Sequence, residues 1–277
     1  MKTGFIVPVK YLEKFAVQSD FHLILPHIVE QSEKYKKFYM ERIKEGDFVM
    51  LDNSIFELEV AYPKEKLLDT ALEIGVQEMV VPEVLRSSHG SLEKVEDFFD
   101  YIANSHLPKH LRFAITVQGK SFREMIAYVS ALLTSFEFHT LCVPFDIDCE
   151  IPGAPCFQSS TLQRVVNRIY FCEHLREKFP SLCSTKQVHL LGLADGVELQ
   201  HYTLNCAGFS FIRSNDSSSA FVHGLHGIKY TERGLPCEKI VEKLDFFMDT
   251  DLTCDRVECI QYNIIMLKKF TTGVNNG

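Results

Sequence analysis

The chain has 277 residues, of which 46% are apolar and 24% are charged, a balance typical of a folded globular protein. Its 29 basic and 37 acidic residues give a net charge of −8, which argues against binding nucleic acid through bulk positive charge. No signal peptide opens the sequence and no apolar run is long enough to span a membrane, so we expect a cytoplasmic protein without a membrane partner.

Eight short apolar runs are predicted to be strands, because continuous apolar character is typical of parallel strands covered on both faces. They are Phe5–Val9, Phe21–Pro26, Asp47–Asp52, Glu78–Pro82, Arg112–Gln118, His139–Phe145, Val188–Leu193 and Phe209–Ser214. The stretches between them are predicted to be helices, namely Val29–Lys44, Pro63–Ile74, Ser91–Ala103, Ser121–Phe136, Ser160–Lys178 and Gly196–Asn205. This alternation predicts an α/β fold, a (β/α)8 TIM barrel with C-terminal helices, and a doubly wound open sheet is the alternative.

The last part of the chain is predicted to add helices to the barrel. Cys237–Met248 and Asp255–Lys269 form these helices, and Thr271–Gly277 is a frayed polar tail. Because no linker rich in Pro, Gly or Ser is found, the chain is interpreted as a single domain over residues 1–277. The barrel covers about residues 1–222 and the helical extension about residues 223–270.

Polar side chains follow several predicted strands, at the end of the barrel where TIM-barrel active sites lie. Asp52, Glu83 and Asp216 each come at the end of an apolar run, and Gln118-Gly119 and Gly192-Leu193 end two others. Close carboxylates shift one another's pKa values, which suits one as a nucleophile and another as a proton carrier. The sequence therefore predicts an acidic active site at the barrel mouth.

Each carboxylate also has a structural interpretation. An aspartate after a strand often caps the next helix or fixes a turn, which applies to Asp52 and Asp216. Glu83 lies three residues before Arg86 and would then form a surface ion pair with it. The segment Phe145–Phe157 follows another strand and is either a lid or an ordinary connection.

The nine scattered cysteines are interpreted as reduced thiols, since their number is odd and no regular framework appears. No cofactor is predicted. A structural zinc ion stays open as an alternative, because Cys237, Cys254, Cys259 and a histidine need only be close together in the fold to bind one.

Four segments at these strand ends resemble tRNA-guanine transglycosylases, in the order found in that family. Leu51–Phe56 resembles the family's D-S-G-G-F/Y-Q segment, and Val117–Gly119 matches its V-Q-G segment. Leu191–Ala194 is similar to G-G-L-A/S, and Asp216–Phe221 is similar to the nucleophile region, whose archaeal form reads D-S-A-A. The resemblance implies a TIM barrel that exchanges guanine in nucleic acid for a 7-deazaguanine.

The resemblance also implies a role for each matching residue. Asp216 would be the nucleophile on C1′ of the target nucleoside, and Asp52 the proton acceptor that also binds the base. Phe56 would stack on the base. The other base-binding residues would be Glu83 at the Watson–Crick edge, Gln118 and Gly192 at the exocyclic oxygen, and their neighbours Gly119 and Leu193.

The family's tRNA enzymes carry a C-x-C-x-x-C…H zinc site and an RNA-binding domain, and neither is found in this sequence. The chain therefore most resembles the DNA 7-deazaguanine transglycosylases of phages and bacterial DNA-modification clusters, which insert 7-cyano-7-deazaguanine (preQ0) or a relative. DNA and preQ0 are the expected partners, in the host cytoplasm if the chain is phage-encoded. The alternatives are a tRNA-acting enzyme, a non-catalytic nucleic-acid-binding family member, and an unrelated barrel enzyme acting on a metabolite.

Contacts to the nucleic-acid backbone would come from local cations, because the net charge is negative. The candidates for phosphate contact are Arg86, Lys120, Arg123, Arg213, His223, His226 and Lys229.

A homodimer is among the expected oligomeric states.

Overall fold

The strands of the computed structural model, which describes residues 1–272, confirm the predicted barrel. They are β1 (Lys2–Phe5), β2 (Phe21–Ile24), β3 (Phe48–Leu51), β4 (Glu78–Val80), β5 (Arg112–Thr116), β6 (Thr140–Pro144), β7 (Gln187–Leu191) and β8 (Ile212–Ser217). Paired neighbours are parallel, in the order β1-β8-β7-β6-β5-β4-β3-β2. At the two ends of this order, β1 and β2 lie against each other, since a Cβ on Gly4 would come 3.2 Å from the Phe21 carbonyl oxygen. The fold is therefore a nearly closed (β/α)8 TIM barrel rather than an open sheet.

Helices lie between the strands and after the last one. Within residues 1–272 they are α1 (Leu12–Phe15), α2 (Pro26–Gln31), α3 (Glu33–Lys44), α4 (Ile55–Leu58), α5 (Lys64–Ile74), α6 (Ser88–Ile102), α7 (Phe122–Ser135), α8 (Ser160–Lys178), α9 (Pro180–Thr185), α10 (Val197–Leu204), α11 (Cys206–Phe209), α12 (Ser219–Leu225) and α13 (Cys254–Thr272). Short 3-10 turns at Val9–Tyr11 and Ala16–Gln18 flank α1. None of the helices in this part of the chain is both long and apolar enough to cross a membrane.

Two apolar layers stabilise the barrel. The larger layer lies between the strands and the surrounding helices, and it includes Ile260, Ile264 and Leu267 of α13. The smaller layer fills the barrel interior and contains Phe21, Leu23, Met50, Val80, Ala114 and Cys142. Because side chains alternate across a strand, one strand can contribute to both layers. The C-terminal helix therefore packs into the same core as the barrel.

Two strands are shifted most from their predicted runs. β1 lies before most of the predicted run Phe5–Val9, and β8 begins and ends later than the predicted run Phe209–Ser214. β8 continues through polar residues because Asn215 and Asp216 are buried and hydrogen-bonded. Asn215 accepts a hydrogen bond from Thr3 of β1, and Asp216 accepts one from Gly192, which directly follows β7. This shift moves Asp216 from the loop after the strand into the strand itself.

Two predicted helices and the predicted tail also need correction. The predicted helix Val29–Lys44 is two helices, α2 and α3, interrupted at Ser32, whose side chain caps α3. The predicted helix Ser91–Ala103 begins earlier, at Ser88, and its cap is Ser87. The predicted tail Thr271–Gly277 starts inside α13, and its residues after Thr272 lie outside the described ones.

The predicted helix Cys237–Met248 is wrong. This segment, which we call the strap (residues 237–248), is not helical and lies across the carboxyl ends of the strands. The Ile240 N–H donates to His223 Nε2 at 3.2 Å, and the Phe246 carbonyl accepts from the Val9 N–H at 2.9 Å. In a helix, these backbone groups would form hydrogen bonds within the segment. Here they form hydrogen bonds to the barrel instead, and the strap is not helical.

Candidate active site

A cavity of about 430 Å³ opens at the carboxyl ends of the strands, the position of TIM-barrel active sites. All three predicted carboxylates line it, as do the other predicted base-site residues. The wall thus includes Asp52, Phe56, Glu83, Gln118, Gly119, Gly192, Leu193 and Asp216. The fold therefore brings together eight residues that are spread over more than half of the sequence.

Asp216 is buried near the end of β8, and two donors hold one of its carboxylate oxygens. Oδ1 accepts the Gly192 N–H at 3.0 Å and the His189 Nε2–H at 3.1 Å. Because an ionised carboxylate can only accept, the hydrogen of His189 is assigned to Nε2, and Nδ1 accepts from the Ser214 hydroxyl at 2.9 Å. Within residues 1–272, Oδ2 takes part in no hydrogen bond. The helix-capping interpretation of Asp216 is therefore wrong, and Oδ2 is available to a ligand.

Gly192 makes this arrangement possible. Its φ of 64° lies in the left-handed region, which a side chain disfavours. A Cβ at this position would also lie 2.6 Å from the ring of Phe145. The glycine therefore allows both the turn that directs its N–H at Asp216 and the close approach of Phe145.

Asp52 and Glu57 supply further acidic groups beside Asp216. Asp52 Oδ2 accepts the Ser54 N–H at 2.9 Å, so the turn interpretation of Asp52 is confirmed, although its side chain also lines the cavity. Burial, together with the charge of Asp216, raises the pKa of Asp52 to about 7. Burial and the charge of Asp52 raise the pKa of Glu57 to about 8, and its Oε2 is buried without a partner in the described part of the chain. Near neutral pH this part of the cavity can therefore accept or release protons.

Glu83 is held by two side-chain amides. Its Oε2 accepts from Gln118 Nε2 at 3.0 Å, and its Oε1 accepts from Asn53 Nδ2 at 3.2 Å. Burial raises the pKa of Glu83 to about 7, although these hydrogen bonds favour its ionised form. The predicted surface pair with Arg86 is wrong, since Arg86 instead binds Asp148 at 2.7 Å. The carboxylate and the amides together form a polar wall suited to the edge of a planar base.

Two aromatic rings stand at the cavity wall. Phe56 is 42% exposed, and its ring centre lies 6.3 Å from that of Phe145 at an interplanar angle of 65°. Phe145 begins the segment predicted to be a lid or a connection, and residues 145–149 line the cavity. An exposed Phe56 is free to stack on a ligand ring.

Lys239 enters the cavity from the strap. Its Nζ donates to the Leu193 carbonyl and lies 3.7 Å from the centre of the Phe145 ring. Burial, with a smaller effect from the charge of Arg168, lowers the pKa of Lys239 to about 7, and the charge of Asp216 opposes this shift. The site therefore contains a basic group as well as carboxylates.

Sequence reasoning missed four side chains of this site. His189 could have been noticed as a polar residue within an apolar strand, and Glu57 as the last residue of the segment that starts with Asp52. Phe145 begins the segment Phe145–Phe157, which the sequence predicts to be either a lid or an ordinary connection. No signal indicated Lys239, because its segment was interpreted as a helix on the outside of the barrel.

Three of the predicted phosphate contacts lie on one side of the mouth. Arg86 and Lys120 line the cavity, and Arg123 is exposed in the first turn of α7. They follow β4 and β5, which are neighbouring strands. This side of the mouth therefore concentrates the cations that a backbone phosphate could reach.

Arg213 and His223 are wrong as phosphate contacts. Arg213 lies at the amino-terminal end of β8, opposite the mouth, and its guanidinium binds Glu78 at 2.5 Å. His223 is fully buried, with Nδ1 2.9 Å from the Ser219 carbonyl oxygen, and burial lowers its pKa. Neither side chain is available to nucleic acid at the cavity.

His226 and Lys229 are exposed but do not line the cavity. His226 lies 3.1 Å from Glu242 of the strap. Lys229 lies over the ring of Tyr262 in α13, at 5.5 Å from its centre. The structure therefore brings neither of them into the cavity wall.

All nine cysteines lie in the described part of the chain and are free thiols. Of the suggested zinc ligands, Cys237 and Cys254 are exposed and Cys259 is buried. Within residues 1–272, no three His, Cys, Asp or Glu side chains are grouped so that they could hold a metal ion.

Compared with known proteins, the chain matches no family model and no curated protein. The side chains that line the cavity therefore indicate its chemistry. Those side chains combine a fixed carboxylate, a second carboxylate beside it, and a polar wall for a planar ligand.

Proposed function

We propose that this protein exchanges guanine in DNA for a 7-deazaguanine base through a covalent aspartyl–nucleoside intermediate. One observation carries the proposal: Asp216 has one carboxylate oxygen held by two donors and the other free, in the same cavity as the buried carboxyl of Asp52. A carboxylate nucleophile with a proton-carrying neighbour suits double displacement at an anomeric carbon. The four segments that resemble tRNA-guanine transglycosylases support base exchange as the particular reaction.

The first displacement uses both aspartates. Oδ2 of Asp216 forms a bond to C1′ while the bond from C1′ to guanine N9 breaks, and the bonding electrons leave with guanine. The departing base needs a proton, which the acid form of Asp52 donates, since its pKa of about 7 leaves both forms populated at neutral pH. The product is an ester between Asp216 and C1′, with ionised Asp52 beside it.

The second displacement reverses these steps with the new base. The incoming base gives its N9 proton to Asp52, N9 forms a bond to C1′, and the ester bond to Asp216 breaks. Asp216 returns to a carboxylate and Asp52 to its acid form. Two inversions at C1′ retain the β configuration.

Glu83 and Gln118 are proposed to recognise the base. A carboxylate accepts from the N1–H and the 2-amino group of guanine, which 7-deazaguanines share. Gln118 donates to Glu83 and accepts the Arg86 N–H at 2.7 Å, so its amide orientation is fixed. This wall would accept guanine-like bases and reject bases without the 2-amino group.

Glu83→Gln should weaken recognition of guanine by about tenfold to hundredfold. The new amide turns a donor towards the donors of the base, and it also loses the negative charge. We expect the discrimination between guanine and hypoxanthine, measured as the ratio of kcat/KM for exchange, to fall by the same factor. Glu124→Gln is the matched control, because Glu124 is exposed at the start of α7 and retains an oxygen for the Lys120 N–H. An unchanged ratio in Glu83→Gln would show that another group recognises this edge.

The polymer is proposed to be DNA. A guanine within a duplex must leave the stack to enter the cavity, which costs a few kcal/mol. Stacking on the exposed ring of Phe56 offsets part of this cost. Arg86, Lys120 and Arg123 lie beside the mouth, where they would contact the flanking phosphates.

Labelled 7-cyano-7-deazaguanine should enter DNA in preference to unmodified tRNA when both are supplied at equal concentration. Lys120→Met should weaken DNA binding about equally for all sequences and reduce the slope of log affinity against log salt by about one. Lys229→Met should change neither quantity, because Lys229 does not line the cavity. Incorporation into tRNA alone would favour the tRNA-acting alternative. No incorporation into either polymer, with no covalent adduct, would reject base exchange.

A further inference from the structure

Lys239 has no role in the mechanism above, although it is a basic side chain inside the cavity. Its Nζ is bonded to the Leu193 carbonyl and lies against the face of Phe145. An ammonium group carries three donors, so one bond to a carbonyl leaves others for a ligand. Holding such a group in a largely apolar pocket costs free energy, which calls for a functional explanation.

The order of the strands indicates which part of the base would meet Lys239. Around the edge of guanine, the order is the 2-amino and N1 side, O6, position 7, and then N9, the atom joined to C1′. Around the mouth, Glu83 follows β4, Gln118 follows β5, Phe145 follows β6, Leu193 follows β7, and Asp216 ends β8. With Glu83 at the Watson–Crick edge and Asp216 at C1′, position 7 faces Phe145 and Leu193. That is where the amine of Lys239 lies.

We infer that Lys239 is a specificity-determining residue for the 7-substituent of the incoming base, favouring a hydrogen-bond acceptor such as a nitrile over a cationic aminomethyl group. This inference rests on the proposed base exchange. A nitrile accepts a hydrogen bond from the amine. An aminomethyl group would meet a like charge, and the carbonyl and aromatic face that could have held it are already occupied by Lys239.

The test compares two free bases, 7-cyano-7-deazaguanine and 7-aminomethyl-7-deazaguanine. Their dissociation constants are measured by calorimetry on the full chain, and exchange into DNA is followed with labelled guanine. The wild-type protein should bind the cyano base about tenfold to hundredfold more tightly than the aminomethyl base. Lys239→Met should bring the two dissociation constants to within about threefold of each other, and Lys239→Arg should retain the preference for the cyano base.

Lys243→Met is the matched control. Lys243 belongs to the same strap but does not line the cavity, and its Nζ binds the backbone carbonyl of Glu57 at 3.0 Å and the side chain of Glu59 at 3.1 Å. We expect this variant to keep the wild-type ratio, because it loses a contact of the strap without removing a side chain that lines the cavity.

The ratio of the two affinities separates selectivity from a purely structural role. If Lys239 only anchored the strap, Lys239→Met would weaken both bases equally, and this result would overturn the inference. Equal or tighter binding of the aminomethyl base by the wild-type protein would overturn it as well. In both cases, continued exchange of labelled guanine would leave the proposed function standing. Binding of neither base, with no guanine exchange, would overturn the inference together with the proposed function.

Discussion

Asp216→Asn should abolish base exchange without unfolding the protein. The side-chain oxygen of asparagine can still accept from the Gly192 N–H and from His189, so the free energy of unfolding should change by less than about 1 kcal/mol. The atom that attacks C1′ becomes an amide nitrogen without a nucleophilic lone pair. We expect a loss of at least about 10⁴-fold in exchange of labelled guanine and no enzyme–DNA adduct on a denaturing gel.

Asp195→Asn is the matched control for this experiment. Asp195 is another buried aspartate in the turn after β7, where it accepts the N–H groups of Val197 and Leu235, but it does not line the cavity. This variant should still form the adduct, even if the anchoring of the nearby backbone is weaker. Full exchange in Asp216→Asn would show that the nucleophile is another group.

The barrel could be predicted because its cause is local. Parallel strands covered on both faces are apolar along their whole length, and each such run in this sequence coincides at least in part with a strand or lies next to one. The position of the site follows from the barrel, because the residues after these runs meet at one end. Asp52, Glu83 and Gln118 could therefore be assigned to one cavity before any contact was known.

The strap could not be predicted because its conformation depends on distant partners. Apolar residues at Ile240, Leu244 and Phe247 follow a helical spacing, which favours a helix when the segment is considered alone. In the fold, Glu238 accepts the Thr161 N–H at 2.9 Å at the start of α8. Such tertiary bonds outweigh a helix propensity of a few tenths of a kcal/mol per residue.

The error at Arg213 has a different origin, which is the position of one strand along the sequence. The apolar run ended at Ser214, which would have placed Arg213 at the mouth beside the active site. The strand instead runs from Ile212 to Ser217, so Arg213 lies near its start at the opposite end of the barrel. The sequence pattern missed this because Asn215 and Asp216 are polar strand residues, which are stabilised by partners on other strands and loops.

Asp52→Asn should slow exchange by about 10²- to 10⁴-fold, the usual contribution of a group that transfers a proton in the rate-limiting steps. The pKa of Asp52 is raised to about 7, so the acid form that donates to the departing guanine is lost as the pH rises through 7, and the ionised form that accepts the proton of the incoming base is lost as the pH falls through 7. The rate of the wild-type enzyme should therefore fall on both sides of about pH 7. The residual rate of the variant should lose most of this dependence and follow only the remaining carboxyl groups.

The same substitution should make the protein more stable at alkaline pH. Because the folded-state pKa of Asp52 lies above its ordinary value of 3.8, the folded protein binds more protons than the unfolded chain between these two values. The contribution of Asp52 to stability is therefore fully present below about pH 3.8, is lost progressively as the pH rises from there to about 7, and stays lost above it. An asparagine has no such loss, and we expect a gain of about 1–3 kcal/mol in the free energy of unfolding at about pH 8, with less than about half of that gain at about pH 5.

Asp20→Asn provides the opposite control for the pH effect. Asp20 is exposed and bonded to Lys2 at 2.6 Å, and this bond lowers its pKa, so its contribution to stability is lost as the pH falls rather than as it rises. Denaturant unfolding should show changes of opposite sign relative to the wild-type protein. The free energy of unfolding should rise in Asp52→Asn and fall in Asp20→Asn. An unchanged pH slope of stability in Asp52→Asn would show that Asp52 is not the group whose ionisation destabilises the fold. Unchanged exchange would transfer the proton-carrying role to Glu57. Its pKa of about 8 and its buried Oε2 in the same cavity make Glu57→Gln the next variant to measure.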